Sequence, residues 1–322
     1  MEISKLINRV AQAFRSRSQG GHAGGLEPVR HLDGHDKKGG RGLSARPCSR
    51  RVFKRKIIVL LQGYGNHSNR IIQATHYDAF CREHRHFFYN PSFFDIARLY
   101  YTNSAPAIDR CFVWIAWKLV RLGMIRVLDF KLGSDNSRLY ALIAKRSISF
   151  VKGWGFRCED LVKKHRDYIV RKYSLKESLV RQSRDYYRVH SAIDNYTMKI
   201  GIHIRRRDFR EYKGGRYFFD DEVYMKAIAD LQIQFSKKDV VFVIFSDEEV
   251  TLERRDNLVI SNSQWYIDQK IMTEMDLLVG PPSTFTSWAS FLGKVTRFVI
   301  LNGTISPNWV PWESAGIIDL EG

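Results

Sequence analysis

The regular alternation of short apolar runs and amphipathic segments after residue 196 is the feature that most limits what this chain can fold into. Each apolar run is short enough for one buried strand, and the segments between them carry apolar residues at helical spacing. Such alternation is typical of a parallel sheet covered by helices on both faces. We therefore predict a doubly wound sheet with strands at residues 196–204, 240–245, 258–260, 277–279 and 297–301 and helices at residues 221–235 and 284–292.

An earlier segment has the pattern of a second α/β unit. We predict a strand at residues 56–61, a loop containing Gly63 and Gly65, a helix at residues 69–84 and a strand at residues 86–89. Residues 93–190 look mostly helical. Within them, residues 110–130 combine apolar side chains with tryptophans and basic residues, so this segment either packs against the core or contacts a membrane surface.

The formal net charge of +18 is unevenly spread along the 322 residues. Residues 1–56 hold fourteen Lys or Arg and four Asp or Glu, a net charge of +10, so the remaining residues carry only +8. We predict three parts: a flexible basic segment at residues 1–55, an N-terminal lobe with a helical insert at residues 56–190, and a C-terminal lobe at residues 191–322.

The cysteines and the N-terminus bear on the cellular compartment. The four cysteines show no CxxC spacing and no clustering with histidine, which argues against a zinc site or a secreted disulfide framework. The N-terminus lacks the apolar core of a signal peptide, and no uncharged apolar stretch is long enough to span a bilayer. We expect a cytoplasmic protein, with peripheral contact to an anionic membrane possible through its basic segments.

Three loops with matching chemistry follow strands of the predicted C-terminal sheet. The first, after the strand at residues 196–204, contains His203, Arg205, Arg206 and Asp208. The second contains Asp247, and the third contains the hydroxyl side chains Ser283, Thr284 and Thr286 at a predicted helix start. Ligand sites of open α/β sheets lie at the carboxyl ends of strands, and arginine forks and helix starts both bind phosphate. These loops predict one phosphate-binding site.

The motif His-x-Arg-Arg-x-Asp at residues 203–208, the Ser-Asp at residues 246–247 and the Ser-Thr-Phe-Thr at residues 283–286 together resemble the GDP-fucose-dependent fucosyltransferases. The Gly-x-Gly-Asn at residues 63–66 and the Ser-Trp at residues 287–288 are most similar to the α-1,2 branch. The resemblance covers about residues 56–310. It implies two Rossmann-like lobes of the GT-B type with a central cleft, the donor on the C-terminal lobe and the acceptor on the N-terminal lobe. Two positions depart from the α-1,2 pattern: Arg207 stands in place of a glycine and His67 in place of a glutamine.

The resemblance also implies roles for individual residues. It gives catalysis to Arg206 and acceptor contacts to Gly63, Gly65, Asn66 and His67. A general base must also remove the proton of the acceptor hydroxyl, and Asp208 and Glu211 are the candidates near the motif. The resemblance implies that Arg205 and Arg206 together clamp the donor diphosphate, with Ser283, Thr284 and Thr286 adding donors at the β-phosphate. It gives guanosine contacts to His203, Asp247 and Asp276. No Asp-x-Asp motif occurs, so we expect the arginines to replace a metal ion and the transfer to be metal-independent, with inversion and without a cofactor. The acceptor is expected to be a glycan, such as a bacterial surface polysaccharide or an oligosaccharide precursor.

Other functions remain open at this point. The donor could be another GDP-sugar. Gly63 and Gly65 could belong to a dinucleotide fingerprint of an NAD(P) oxidoreductase, although Asn90 stands where an acidic residue is expected. The basic run at residues 50–56 could bind nucleic acid without any enzymatic activity, but no signature of a nucleic-acid-binding domain is present, so we expect no nucleic-acid partner.

Overall fold

The computed structural model describes residues 55–102, 104–252 and 255–301, and the backbone of residues 309–310. The predicted basic segment at residues 1–55 lies outside this range except for its last residue. The predicted boundary at residue 190 falls within a helix, Arg184–Ile193, and stays a prediction. Within the described residues, no helix is both long and apolar enough to cross a bilayer.

The first half of the described chain builds a four-stranded parallel sheet in the order β2-β1-β4-β3. Its strands are β1 (Ile57–Leu60), β2 (Phe87–Tyr89), β3 (Val127–Asp129) and β4 (Ile148–Lys152). Its helices are α1 (His67–Glu83), α2 (Pro106–Arg121), α3 (Ser137–Lys145), α4 (Glu159–Lys164), α5 (Arg166–Tyr173) and α6 (Glu177–Arg181), with short 3-10 turns at Pro91–Phe93 and Ala97–Leu99.

Both faces of the first sheet are covered, because its central strand β1 alternates side chains between two cores. Ile58 and Leu60 belong to a large core that includes residues of α1, α4 and α5. Val59 and Leu61 point to the other face, where they meet Ala116 of α2 and a set of partly buried aromatic side chains. Helix α2 therefore lies on the outer face of the sheet.

The second half builds a six-stranded sheet in the order β10-β9-β8-β5-β6-β7, in which β10 alone runs antiparallel. Its strands are β5 (Met198–Ile204), β6 (Val240–Ser246), β7 (Leu258–Ile260), β8 (Leu277–Gly280), β9 (Thr296–Val299) and β10 (Trp309–Val310). Its helices are α7 (Arg184–Ile193), α8 (Asp221–Gln234), α9 (Trp265–Met272) and α10 (Thr284–Gly293), with 3-10 turns at Asp208–Arg210 and Tyr212–Gly215.

Strand β5 forms the centre of the second sheet. It pairs with β6 from Met198↔Val240 to Ile204↔Ser246, and with β8 on its other side. Ile200, Ile202 and Ile204 pack in the core that contains α8. The opposite face carries Gly201 and His203 and looks toward the core of α7 and α9. Both faces are buried, as the apolar run in this strand predicts.

The predicted strands and helices of the second half are confirmed, and so is the mostly helical character of residues 93–190. Between its helices, this region also contains the strands β3 and β4, which were not predicted. Strand β4 is five residues long and β3 only three, and such short segments carry too little periodicity to be distinguished from helical ones. The sequence also gave no sign of helix α9.

The two halves share a core through helix α10. Its Trp288 and Phe291 are buried among side chains of the first half. At the end of the same helix, the Arg166 guanidinium of α5 donates hydrogen bonds to the carbonyls of Phe291 and Leu292, both at 2.7 Å. The Gln269 amide of α9 donates to the Ser68 hydroxyl of α1 at 3.0 Å. The halves are thus joined by apolar packing and by hydrogen bonds.

Candidate functional site

The carboxyl ends of β5, β6, β7 and β8 meet at one edge of the second sheet because these strands are parallel. The residues that follow them, at positions 205–208, 247–248, 261–264 and 281–284, therefore come together. We call residues 205–208 the motif loop. Contacts with neighbouring residues determine which side chains of the motif loop could bind a ligand.

Asp247 fixes the motif loop. Its carboxylate accepts hydrogen bonds from the backbone N–H of Arg206 at 2.9 Å and of Arg207 at 3.3 Å. It also lies 3.1 Å from Nη1 of Arg205. Because Ile204 pairs with Ser246, Asp247 stands directly beside the start of the loop. The carboxylate that was expected to contact the guanosine is instead engaged by the loop.

Arg206 is a buried structural arginine. Its Nε donates to the carbonyl of Phe219 at 3.1 Å and its Nη2 to the carboxylate of Asp221 at 2.6 Å, while its Nη1 lies 3.8 Å from Glu248. The guanidinium also lies within 6 Å of the rings of Phe218 and Tyr224. These partners hold it against the start of α8. The expected clamp of two arginines on one diphosphate is therefore not what the contacts of Arg206 show.

Arg205 has a different environment from that of its neighbour. Its side chain is 24% exposed, with Nε 2.8 Å from Asp208 and Nη1 close to Asp247. Because it is two residues after His203, it lies on the same side of the chain as that histidine. Its positive charge helps to lower the pKa of His203. Arg205 is thus an accessible guanidinium, oriented by two carboxylates, beside the buried His203.

His203 is a neutral imidazole at the end of β5. Burial lowers its pKa to about 3, and the charge of Arg205 acts in the same direction. Its ring centre is 5.4 Å from that of Phe285 in the first turn of α10. Its buried Nδ1 has no hydrogen-bond partner among the described residues. A buried ring nitrogen in this state is available for a hydrogen bond with a ligand.

The start of α10 is the second element at this edge that was expected to bind phosphate. Ser283 caps the helix, since its hydroxyl accepts from the N–H of Phe285 at 3.2 Å. The hydroxyls of Thr286 and Ser287 both donate to the Ser283 carbonyl at 3.0 Å, so they stabilise the turn from within. Thr284 is half-buried at the first helical position. The positive end of a helix of this length attracts anions.

A glycine brings this helix close to β5. A Cβ atom on Gly280, the last residue of β8, would lie 2.6 Å from the His203 carbonyl oxygen. Glycine is therefore required for the two strand ends to approach each other. The result places the start of α10 and the His203 side chain next to each other at the sheet edge.

The three remaining acidic candidates lie in different places. Asp208 is half-exposed and paired with Arg205. Glu211 is exposed between two 3-10 turns. Asp276 does not belong to this edge: it precedes β8, and its carboxylate accepts from the N–H of Lys199 at the start of β5, at 2.7 Å. The structure therefore separates Asp276 from the other donor-site candidates.

Asp268 was missed from the sequence. It lies in the first turn of α9, directly after β7, and one of its oxygens accepts from the Ser261 hydroxyl at 2.6 Å. Burial raises its pKa to about 7. A carboxyl group in this state can accept or donate hydrogen bonds near neutral pH. If helix α9 had been predicted, Asp268 would have been recognised as a residue near the carboxyl end of β7.

Of the predicted acceptor residues, Gly63, Gly65 and Asn66 lie between β1 and α1, and His67 is the first residue of α1. Gly65 has φ of +61°, and a side chain there would collide with Asn69, while Gly63 leaves room for the Arg70 side chain, which pairs with Asp95. Asn66 is at the N-cap position of α1. These residues shape the loop rather than presenting long side chains.

His67 reaches from this loop to the other half of the molecule. Its ring stacks on that of Trp265 at the start of α9, with 4.0 Å between ring centres. Burial, and then the charge of Arg70, lowers its pKa. The start of α1 and the start of α9 are therefore in contact where the two halves meet.

Tyr64 forms an aromatic pair at the same edge of the first sheet. It is 50% exposed, and its ring stacks on Trp154 at 5.1 Å between centres. The buried Gln73 ties the two loops together, accepting from the N–H of Tyr64 at 2.9 Å and donating to the carbonyl of Gly153 at 2.7 Å. The pair is thus held in a fixed orientation.

In the part of the chain that the structure describes, no three His, Cys, Asp or Glu side chains are grouped so that they could hold a metal ion.

Neither a protein-family model nor a curated protein matches this sequence. Solved structures do match. A mutant of Arabidopsis thaliana FUT1 in complex with GDP aligns with 85% of this chain and 73% of its own, at 13% identity and a TM-score of 0.51. The NodZ α-1,6-fucosyltransferase soaked with GDP-fucose aligns with 80% of this chain and 99% of its own, at 12% identity and the same TM-score of 0.51. NodZ from Bradyrhizobium, described as a fucosyltransferase, also aligns with a TM-score of 0.51, at 11% identity, over 80% of this chain and 98% of its own. The predicted fold class is confirmed: the chain has the α/β fold, with two parallel-stranded sheets, of these fucosyltransferases.

Proposed function

We propose that this protein is a glycosyltransferase that moves fucose from GDP-fucose to a glycan acceptor, with inversion and without a metal ion. The observation that supports this most is the meeting of Arg205, His203 and the start of α10 at the carboxyl edge of the second sheet. The fold that carries them is shared with fucosyltransferases crystallised with GDP or GDP-fucose.

In this proposal the pyrophosphate of the donor lies between Arg205 and the start of α10. The bond between fucose C1 and the β-phosphate oxygen breaks, and its electron pair stays on the departing GDP. A fixed guanidinium and the positive end of a helix stabilise that charge without reorganising during the reaction. Arg206 acts by holding the motif loop, and Ser283, Thr284 and Thr286 by shaping the helix start.

The guanosine is recognised through His203 and Asp268. The unpartnered Nδ1 of His203 and the partly protonated Asp268 offer hydrogen bonds that a guanine or ribose edge can satisfy. Asp247 contributes indirectly, because it fixes the loop that carries Arg205.

The acceptor hydroxyl attacks fucose C1 from the face opposite to the phosphate, which inverts the configuration. Its oxygen forms the new bond to C1 while a carboxylate removes its proton. Asp208 and Glu211 are the candidates for this base, and Asp208 lies closer to the proposed phosphate site because it pairs with Arg205.

We further propose that the acceptor is a bacterial surface polysaccharide or oligosaccharide precursor, modified in the cytoplasm. The loop at residues 63–66 and the Ser-Trp at residues 287–288 favour an α-1,2 linkage. Determining the linkage of the product by NMR tests this, and an α-1,6 product would contradict it.

GDP is expected to raise the melting temperature of the purified protein, whereas UDP, ADP and NAD are not. Occupancy at one hundred times the Kd adds about 2.7 kcal/mol to the free energy of unfolding. Differential scanning fluorimetry with each nucleotide, with and without EDTA, measures this. An increase with NAD alone would instead support an oxidoreductase.

Transfer itself is tested by incubation with GDP-fucose and a panel of glycans in EDTA, with mass spectrometry of the products. Parallel reactions with other GDP-sugars determine whether fucose is the preferred sugar. Loss of transfer in EDTA that is restored by added Mg²⁺ or Mn²⁺ would contradict the metal-independent mechanism.

Tyr64→Ala is expected to raise the KM for the acceptor about tenfold, with little change in the KM for GDP-fucose. The exposed ring provides an apolar face on which a sugar ring can stack, and about 1.4 kcal/mol is a typical contribution from such a contact. Steady-state kinetics with an acceptor from the panel measure it. Tyr64→Phe keeps the ring and should behave like the wild type; a change confined to the donor KM would place Tyr64 elsewhere in the reaction.

A further inference from the structure

Helix α2 has one face on the protein and one face in solvent. Ala116 is buried, and Phe112 and Trp117 are partly buried against the outer face of the first sheet. The opposite face consists of residues that are all exposed: Arg110, Cys111, Trp114, Lys118 and Arg121, followed by Leu122. These positions recur at the helical spacing of three and four residues.

The exposed face combines large apolar side chains with basic ones. Trp114 is 59% and Leu122 70% exposed, and Met124 in the following turn is 57% exposed. The Lys118 ammonium lies 4.1 Å from the centre of the Trp114 ring. A tryptophan and a leucine exposed to this extent leave apolar surface in water, which is unfavourable unless something covers it.

Negative charge is absent from this face of the helix. The single acidic residue of Pro106–Arg121 is Asp109, which is 3% exposed. It accepts a hydrogen bond from the hydroxyl of Tyr89 at 2.6 Å and from the backbone N–H of Ala105 at 3.1 Å, and it also bonds the Ser104 hydroxyl. Its charge is therefore directed into the protein, and the outward face is positive.

We infer that this face of α2 docks on an anionic lipid surface. A helix that lies flat on a bilayer needs apolar side chains to enter the headgroup region and basic side chains to meet lipid phosphates. Trp114 and Leu122 serve the first purpose. Arg110, Lys118 and Arg121 serve the second, and their aliphatic stems extend the apolar contact. The inference does not depend on the proposed donor.

The test uses the full-length protein in flotation assays with two kinds of vesicle, one of phosphatidylcholine alone and one with about a third phosphatidylglycerol. The wild type is expected to float with the anionic vesicles and to detach as salt is raised. Lys118→Gln with Arg121→Gln is expected to weaken this binding about 30-fold. Trp114→Ala is expected to weaken it about tenfold.

The matched control is Lys237→Gln with Lys238→Gln, an exposed basic pair just before β6 that should leave binding within about twofold of the wild type. All variants keep the same N-terminal segment and should melt at the wild-type temperature. A second readout is specific to α2: anionic vesicles should shift the tryptophan emission of the wild type to the blue, and Trp114→Phe should remove much of that shift.

Three results would overturn the inference. The wild type could fail to distinguish the two vesicles. The α2 variants could bind the anionic vesicles as well as the control does, with an unchanged Trp114 signal. Trp114→Ala could convert a dimer into a monomer in the absence of lipid, which would assign this face to a second copy of the chain.

Discussion

Replacing Arg205 by alanine is expected to lower the turnover of GDP-fucose by about two to three orders of magnitude, with little loss of stability. This is the size of effect seen when one preorganised donor to a developing negative charge is removed. Arg205 is partly exposed and already oriented by Asp208 and Asp247, so no rearrangement is required when the donor binds. Steady-state kinetics and a thermal melt of the same preparation measure both quantities.

Two variants sharpen this test. Arg205→Lys keeps the positive charge but loses the planar fork, so an intermediate turnover is expected. Arg207→Ala removes an exposed arginine from the same loop and should leave turnover almost unchanged. If Arg205→Ala works within about threefold of the wild type, the phosphate site proposed here lies elsewhere.

Replacing Arg206 by methionine is expected to act mainly on stability, lowering the free energy of unfolding by about 2–3 kcal/mol. Removing one partner of a buried ion pair leaves the other without compensation, and the partial exposure of the Asp221 and Glu248 carboxylates reduces that penalty. The Phe219 carbonyl also loses its donor. Urea unfolding followed by circular dichroism measures the change.

A double variant separates the two roles of Arg206. Arg206→Met with Asp221→Asn removes the uncompensated carboxylate and should recover part of the lost stability. If Arg206→Met instead leaves the unfolding free energy unchanged and reduces turnover as much as Arg205→Ala does, Arg206 binds the donor directly and our interpretation of its contacts is wrong.

The sequence predicted most of the second half of the fold because its strands alternate regularly with amphipathic segments and the two longest strands, β5 and β6, have seven residues each, although helix α9 was missed. The central strand β5 carries Met198, Ile200, Ile202 and Ile204 on one face, and this alternation identifies it as a strand with a buried apolar face. The first half was harder, since β3 and β4 are short and lie among amphipathic helices.

Prediction of the candidate site from the sequence was limited in a different way. The sequence identified the motif loop and the start of α10, because strand ends and capping residues are local signals. It could not distinguish Arg205 from Arg206, since their difference depends on Asp221 and the carbonyl of Phe219, which lie thirteen or more residues away along the chain. Asp268 was missed for the same reason, because only helix α9 places it near the carboxyl edge of the sheet, whereas Asp276 lies at the opposite edge.

The shared core around α10 limits how far the two sheets can move apart. Swinging the two sheets apart would pull the indole of Trp288 and the ring of Phe291 out of the first core and into water, at a cost of roughly 3–6 kcal/mol. The same motion would break the bonds from Arg166 to the end of that helix. If the protein binds a nucleotide sugar as proposed, we expect the donor to enter and leave through rearrangement of the loops at the carboxyl edges of the sheets, while the two sheets keep their relative positions.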